Sequence, residues 1–181
     1  MRRNNLTKIA MAFVMSACLT VSAFAQSELG KSDIVVNVGL GIPAYLDGMR
    51  MPLLTSSFEI GIVDGLLNDK ASIGVGGSLG ITQNRESFLG LHKDHTHVIV
   101  GGRGAFHYAP TYGLDTYAGM MLGYDYVSPS ASYYINPDYE SRFASHWFIG
   151  IRYYFMSNIA VYGEAGYGVI APIEAGIAFR F

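Results

Sequence analysis

The sequence predicts an all-β fold, an eight-stranded antiparallel up-and-down transmembrane β-barrel. Three observations predict it. Alternation of period two recurs in segments near the length of about 9–11 residues that crosses a bilayer at a tilt. Charged residues fall almost entirely on one face of those segments. The other face is aliphatic in the middle and aromatic towards both ends. Composition agrees, since 22 Gly, 13 Tyr and 10 Phe in 181 residues, with only 14% charged, favour strands over amphipathic helices.

The first 25 residues stand apart. Arg2, Arg3 and Lys8 flank an apolar run from Ile9, and Ala23-Phe24-Ala25 forms an A-x-A site, the layout of a secretory signal peptide. The expected division is therefore 1–25 signal peptide and 26–181 barrel domain. Losing Arg2, Arg3 and Lys8 leaves 9 of the 12 basic residues against 14 acidic ones, a formal charge of −5. The single cysteine, Cys18, leaves with the signal, so the exported chain relies on packing or on a closed hydrogen-bonded sheet rather than on disulfides. No basic patch suggests nucleic acid. No run of about 18 apolar residues remains for a membrane helix.

Eight strands follow in order: Asp33–Pro43, Thr55–Asp64, Ala71–Ile81, His95–Tyr108, Leu114–Val127, Phe143–Phe155, Ile159–Gly168 and Pro172–Phe181. An even number permits up-and-down closure. Ile34, Val36, Val38, Leu40 and Ile42 share one face of the first strand; Phe58, Ile60 and Ile62 share one face of the second, and later strands repeat the pattern. The opposite face carries Asp33, Glu59, Arg103, Asp115, Asp125, Arg152, Glu164, Glu174 and Arg180, mostly among Gly, Ala and Ser with some Tyr. Small residues and balanced charges suit the cramped interior of an eight-stranded barrel. The apolar face therefore points out. Phe106/Tyr108, Tyr153/Phe155 and Phe179/Phe181 form one aromatic rim, and Tyr124/Tyr126, Trp147 and Tyr167 the other, as two membrane–water interfaces favour.

The connections fit that topology. From a periplasmic start, "GLLNDK", "APTYG" and "MSN" are short turns, whereas "AYLDGMRMPLL", "TQNRESFLGLHKD" and "SPSASYYINPDYESR" are long outer loops. The fourth outer connection, near "VIA", is short.

"GIRYYFMSNIAVYGEAGYGVIAPIEAGIAFRF" (Gly150–Phe181) resembles the last three strands of the small OmpA/OmpX-like outer-membrane β-barrel proteins. The resemblance is most specific over these residues and extends by strand count to the rest of the exported chain. It implies residence in the cell outer membrane, insertion by the barrel-assembly machinery, and a C-terminal assembly signal on Ala175, Ile177, Phe179 and Phe181. The larger OmpA arrangement adds a periplasmic peptidoglycan-binding domain, which the sequence does not contain, so cell-wall anchoring is not implied.

Several constellations are candidates for chemistry. Glu59, Arg103, Arg152, Glu164, Glu174 and Arg180 form a candidate lumen charge network, because buried charges must be paired. That network reads as a plug, with a narrow gated channel as the alternative. His95, His97, Asp125 and His146 share inward parity near the outer mouth and are candidate ligands for Zn²⁺ or Cu²⁺; hydrated histidines at a polar mouth are the simpler account, so no metal is assigned and no cofactor is expected. A lipid A-modifying enzyme needs a Ser–His pair within reach of lipid. Ser145 and His146 are sequence neighbours on opposite strand faces, which argues against catalysis. "GVGGSLG" (Gly74–Gly80) lacks the spacing and the following helix of a phosphate loop. Arg50, Arg85, Lys93 and Arg142 are candidates to meet lipopolysaccharide phosphates, and Tyr133, Tyr134 and Tyr139 to meet an extracellular partner. The expected protein is a non-catalytic monomer in contact with outer-membrane lipid, with a structural or surface-interaction role.

Overall fold

The computed structural model describes residues 28–43, 49–88, 91–129 and 141–181. The predicted signal peptide, and Tyr133, Tyr134 and Tyr139 of the third outer loop, lie outside those residues. Eight strands run in sequence order: β1 (Ile34–Ile42), β2 (Met49–Gly65), β3 (Ala71–Phe88), β4 (Leu91–Thr111), β5 (Leu114–Pro129), β6 (Arg142–Tyr154), β7 (Ile159–Gly168) and β8 (Ile173–Arg180). Each pairs antiparallel with its neighbour, and β1 closes against β8 from Val35↔Arg180 to Ile42↔Ile173. Closure leaves no sheet edge over the paired height, so backbone polar groups find partners without water.

Parity decides which side chains face out. Ile34, Val38, Leu40, Phe58, Ile60, Val75, Leu79, Val100, Leu122, Ile149, Ile151, Val161 and Ile177 are all exposed on the outer wall. Glu59, Asp115 and Arg152 have no accessible surface at all. An apolar belt around the whole circumference far exceeds the few hundred Å² that a water-soluble monomer exposes in one patch. With its charges buried and its aliphatics outward, this is a transmembrane β-barrel.

Two features depart from the expected outline. β2, β3 and β4 begin or end well beyond the expected Thr55, Ile81 and His95. Most of "TQNRESFLGLHKD" is therefore strand, paired in register from Thr82↔His97 to Phe88↔Leu91. Its residues alternate without an apolar face, so composition alone reads as loop. The barrel wall consequently rises on one side, where β2 to β5 have 17, 18, 21 and 16 residues, against 9, 13, 10 and 8 for β1, β6, β7 and β8.

The second departure is that chain segments enter the lumen from both ends. At the end carrying the tight turns, Ser32 is left-handed (φ 73°); its N–H donates to Gly61 O at 2.9 Å. The reversal tucks Glu28 and Leu29 into the mouth, where Leu29 is fully buried with Val35, Tyr154, Ala160, Tyr162 and Ala178. Side chains at Gly61 or Gly74 would collide with Gly30 or Leu29. At the opposite, loop-bearing end, the chain leaves β7 at Gly168 (φ 139°). Ile170 and Ala171 then turn inward onto Leu53, Ile99, Met121 and Ala144.

The tight turns need unusual backbone. β2 passes to β3 through one turn, Leu66–Asp69, with Leu67, Asn68 and Asp69 at φ of 51°, 60° and 63°. Tyr112 and Gly113 (φ 74°) join β4 to β5, where glycine supplies the left-handed position of a two-residue hairpin.

Ile149, 65% exposed midway along β6, tests the lipid-facing assignment. Ile149→Arg is expected to destabilise the barrel in lipid vesicles by about 2–4 kcal/mol, measured by urea unfolding; a neutral result would place that wall in water.

Candidate functional site

The interior is organised around two buried guanidinium groups. Arg103, inward on β4, donates from Nε to Glu59 Oε1 at 3.0 Å, from Nη2 to Glu164 Oε1 at 2.8 Å and from Nη1 to Ser57 Oγ at 3.1 Å. Arg152, inward on β6, donates to Glu59 Oε2 at 3.2 Å and to Asp115 Oδ2 at 3.0 Å. Glu59 thus receives one arginine on each oxygen. His107 extends the group, with Nδ1 3.0 Å from Asp115 Oδ2 and Nε2 3.6 Å from Glu59 Oε2. Tyr117 donates its hydroxyl to Glu164 Oε1 at 2.9 Å.

Each interior arginine also lies over an aromatic ring. Arg103 sits 4.1 Å from the Phe148 centroid, Arg152 4.8 Å from Tyr117 and Arg180 4.5 Å from Tyr154. These stacks use the guanidinium faces while their edges hydrogen-bond, which suits arginine and not lysine. The rings need space on the adjacent strand, where Gly150 pairs with Tyr117 and Gly119 with Phe148. A methyl group at Gly150 would overlap Tyr117, and one at Gly119 would overlap Phe148.

Of the six residues expected in the charge network, four lie together: Glu59, Arg103, Arg152 and Glu164. Glu174 sits beside Glu164, its Cα partner across β7 and β8, and accepts a hydrogen bond from Tyr162 Oη at 3.2 Å. Arg180 does not join. It pairs with Glu28 at the turn-bearing end, donating to Glu28 Oε2 at 2.9 Å and Glu28 O at 2.6 Å, and also reaches Ser157 O. Glu28 completes the clasp by accepting from Gly113 N–H at 2.6 Å.

Asp115, His107, Tyr117, Tyr154, Tyr162 and Phe148 are interior members that the expected network omitted. All keep the inward parity of their strands, and that was the available signal. The lining of Gly, Ala and Ser with some charges and Tyr also includes one phenylalanine, Phe148, among the buried rings. Glu28 gave no signal, since it lies outside any strand.

At the loop-bearing end, the apolar layer of Leu53, Ile99, Met121, Ile170 and Ala171 separates the charged interior from a second polar group. There, Asp125 lies 3.1 Å from His97 Nδ1, and both are buried. His95 is buried on the same face, in register with Asn84. His146 is apart, stacked 6.2 Å from Phe148. The four candidate metal ligands are not brought into one group, and among the described residues no three His, Cys, Asp or Glu side chains are placed to hold a metal ion. Ser145 is exposed outward while His146 is buried inward.

Two open volumes among the described residues bear on the site. An apolar depression of about 770 Å³ lies on the outer wall between Val75, Phe106, Met120, Trp147, Ile149 and Tyr167, over Gly104 and Ala118. It has the chemistry of the lipid-facing belt and gathers no charged group. Inside, a cavity of about 10 Å³ adjoins Arg103, Glu164 and Glu174, room for about one water molecule.

Arg152 tests the interior. Arg152→Met leaves Glu59 and Asp115 without one shared cation, and the expected loss of stability is about 3–5 kcal/mol. Arg180→Ala, at the partly exposed clasp, is expected to cost less, about 1–2 kcal/mol. Urea unfolding of both variants checks the ranking; equal costs would mean that the two groups do not differ in burial as described.

No family model matches the sequence, and no curated protein matches it. Solved structures do. Ail, the attachment invasion locus protein of Yersinia pestis, solved in complex with the heparin analogue sucrose octasulfate, superposes with a TM-score of 0.52 at 13% identity, covering 84% of this chain and 100% of Ail. The N-terminal β-barrel domain of Pseudomonas aeruginosa OprF gives 0.49 at 14% identity, covering 84% and 99%. A transmembrane β-barrel designed de novo gives 0.49 at 16%, covering 84% and 98%. The likeness is one of fold: the chain has the architecture of the small eight-stranded outer-membrane barrels.

Proposed function

We propose that this protein is a non-catalytic, monomeric outer-membrane barrel with a plugged lumen, acting through its loop-bearing surface in contact with lipopolysaccharide. The observation that carries the reading is the filled interior. Glu28 and Leu29 are buried within one end, Ile170 and Ala171 within the other, and among the charged side chains between them lies a cavity of only about 10 Å³. A general solute pathway needs a continuous aqueous lumen, which barrels of larger strand number provide.

The tall side of the barrel supports a surface role. Arg85 makes a bidentate pair with Asp94, at 2.6 and 2.9 Å, and Arg50 approaches the same carboxylate at 3.8 Å. Two guanidiniums share one carboxylate, so positive charge is in excess on the part of the wall beyond the apolar belt. Guanidinium groups there are suited to the phosphates of lipopolysaccharide. Export by the cleaved signal peptide and insertion by the barrel-assembly machinery complete the reading, with outer loops left to meet an extracellular partner. Against a lipid A-modifying enzyme stands the opposition of Ser145 and His146 across the wall, which denies a nucleophile its base.

Planar-bilayer recording is expected to show no stable large conductance, and a current like that of a general porin would overturn the plugged lumen. Binding to lipopolysaccharide vesicles is expected to weaken in an Arg50→Ala/Arg85→Ala variant, and unchanged binding would remove that surface from the proposal. Labelled lipid A incubated with the purified barrel is expected to come back unmodified; turnover would reinstate the enzyme.

A further inference from the structure

The register of β7 and β8 sets two carboxylates side by side. Glu164 and Glu174 are direct Cα partners, both inward and both 7% exposed. Their surroundings differ. Glu164 is answered by Arg103 Nη2 and the Tyr117 hydroxyl on the same oxygen. Glu174 accepts from the neutral Tyr162 hydroxyl, and no ion pair is formed by it among the described residues. His107 faces Asp115 and Glu59 rather than this pair. Of the interior carboxylates Glu59, Asp115, Glu164 and Glu174, the guanidiniums of Arg103 and Arg152 reach the first three, and Glu174 is the one they do not reach. Two buried carboxylates side by side call for a compensating cation or a shared proton.

The same place has room for one. The interior cavity of about 10 Å³ is lined by Glu164, Glu174, Thr55, Ser57, Ser78 and His146, with Arg103 along one side. His146, 4% exposed, has its Nδ1 buried without a hydrogen-bond partner, as is Ser78 Oγ. Orphaned polar atoms beside a carboxylate that no guanidinium reaches indicate a small bound species, because buried polar atoms are otherwise satisfied.

We propose that this cavity is a binding site for a single sodium-sized monovalent cation, held between Glu174 and Glu164 with hydroxyl oxygens completing its shell. Oxygen donors suit hard cations. A divalent ion is disfavoured because Arg103 already compensates Glu164, which leaves a single carboxylate charge for the ion to balance. The inference rests on the interior being closed to bulk water, and its test reads stability, so its failure is separable from a conductance result.

The experiment uses the folded barrel in non-ionic detergent, with melting followed by circular dichroism and by the heat-dependent gel shift. Sodium, potassium and choline chlorides are compared at equal ionic strength, with and without EDTA. The expected result is a melting temperature that climbs with the logarithm of sodium concentration, climbs less in potassium, stays flat in choline, and ignores EDTA. Glu174→Gln is expected to lose the sodium-dependent rise. Ser78→Ala, a milder change kept in case the first variant fails to fold, is expected to weaken the apparent sodium affinity several-fold. Equal melting in sodium and choline would overturn the proposal and point to water, or to a proton shared by the two carboxyls. A rise that both variants retain would overturn the site, and an effect abolished by EDTA would overturn the choice of a monovalent ion.

Discussion

Glu59 is the constraint on which the interior turns. It has no access to solvent, and Arg103 from β4 and Arg152 from β6 reach its two oxygens. Through Arg103 the contact passes to Glu164 on β7, and through Arg152 to Asp115 on β5. Five strands, β2, β4, β5, β6 and β7, are thereby braced across the barrel by side chains as well as around it by backbone ladders. In a low-dielectric interior such a network tolerates no missing member, since each unpaired charge carries its own desolvation cost.

Other features follow from that brace. Guanidinium groups held edge-on by carboxylates present flat faces, and Phe148 and Tyr117 cover them. Rings of that size fit an eight-stranded lumen only where the neighbouring strand offers no side chain, which places Gly119 and Gly150 as their cross-strand partners. The composition that first looked like a helix breaker is, at these positions, a matter of volume. With the polar inventory consumed inside, the outer wall carries aliphatics, and a lipid phase becomes the only solvent that fits it.

The strand count, the order and the facing of the walls were legible in the sequence, because period-two alternation is strong wherever one face meets lipid. It faded where lipid ends. Thr82, Gln83, Asn84 and Arg85 alternate between two polar environments, so nothing marks them as strand except their pairing with β4. The charge network was legible in parity but not in partnership: Arg180 has the same phase as the central arginines, yet its partner Glu28 lies in a polar stretch that reads as a linker. Only the outward aromatics at the strand ends were read as interface markers, and Tyr117, Phe148, Tyr154 and Tyr162 are buried where the parity of their strands turns them inward. The four mouth residues required three strand registers at once, and the structure unites only His97 with Asp125 among them.

The Glu28–Arg180 clasp has a consequence for how the barrel comes apart. Its two residues are 152 positions apart in sequence, and between them lies every strand of the sheet. Forming it from an open chain would carry the closure entropy of the whole domain for one ion pair, so it assembles only once β1 and β8 have already met. A contact made that late is absent from the folding barrier and present in the unfolding one. The tuck at the mouth therefore works as a latch on the seam: it leaves the speed of closing untouched and lengthens the time the closed barrel stays shut.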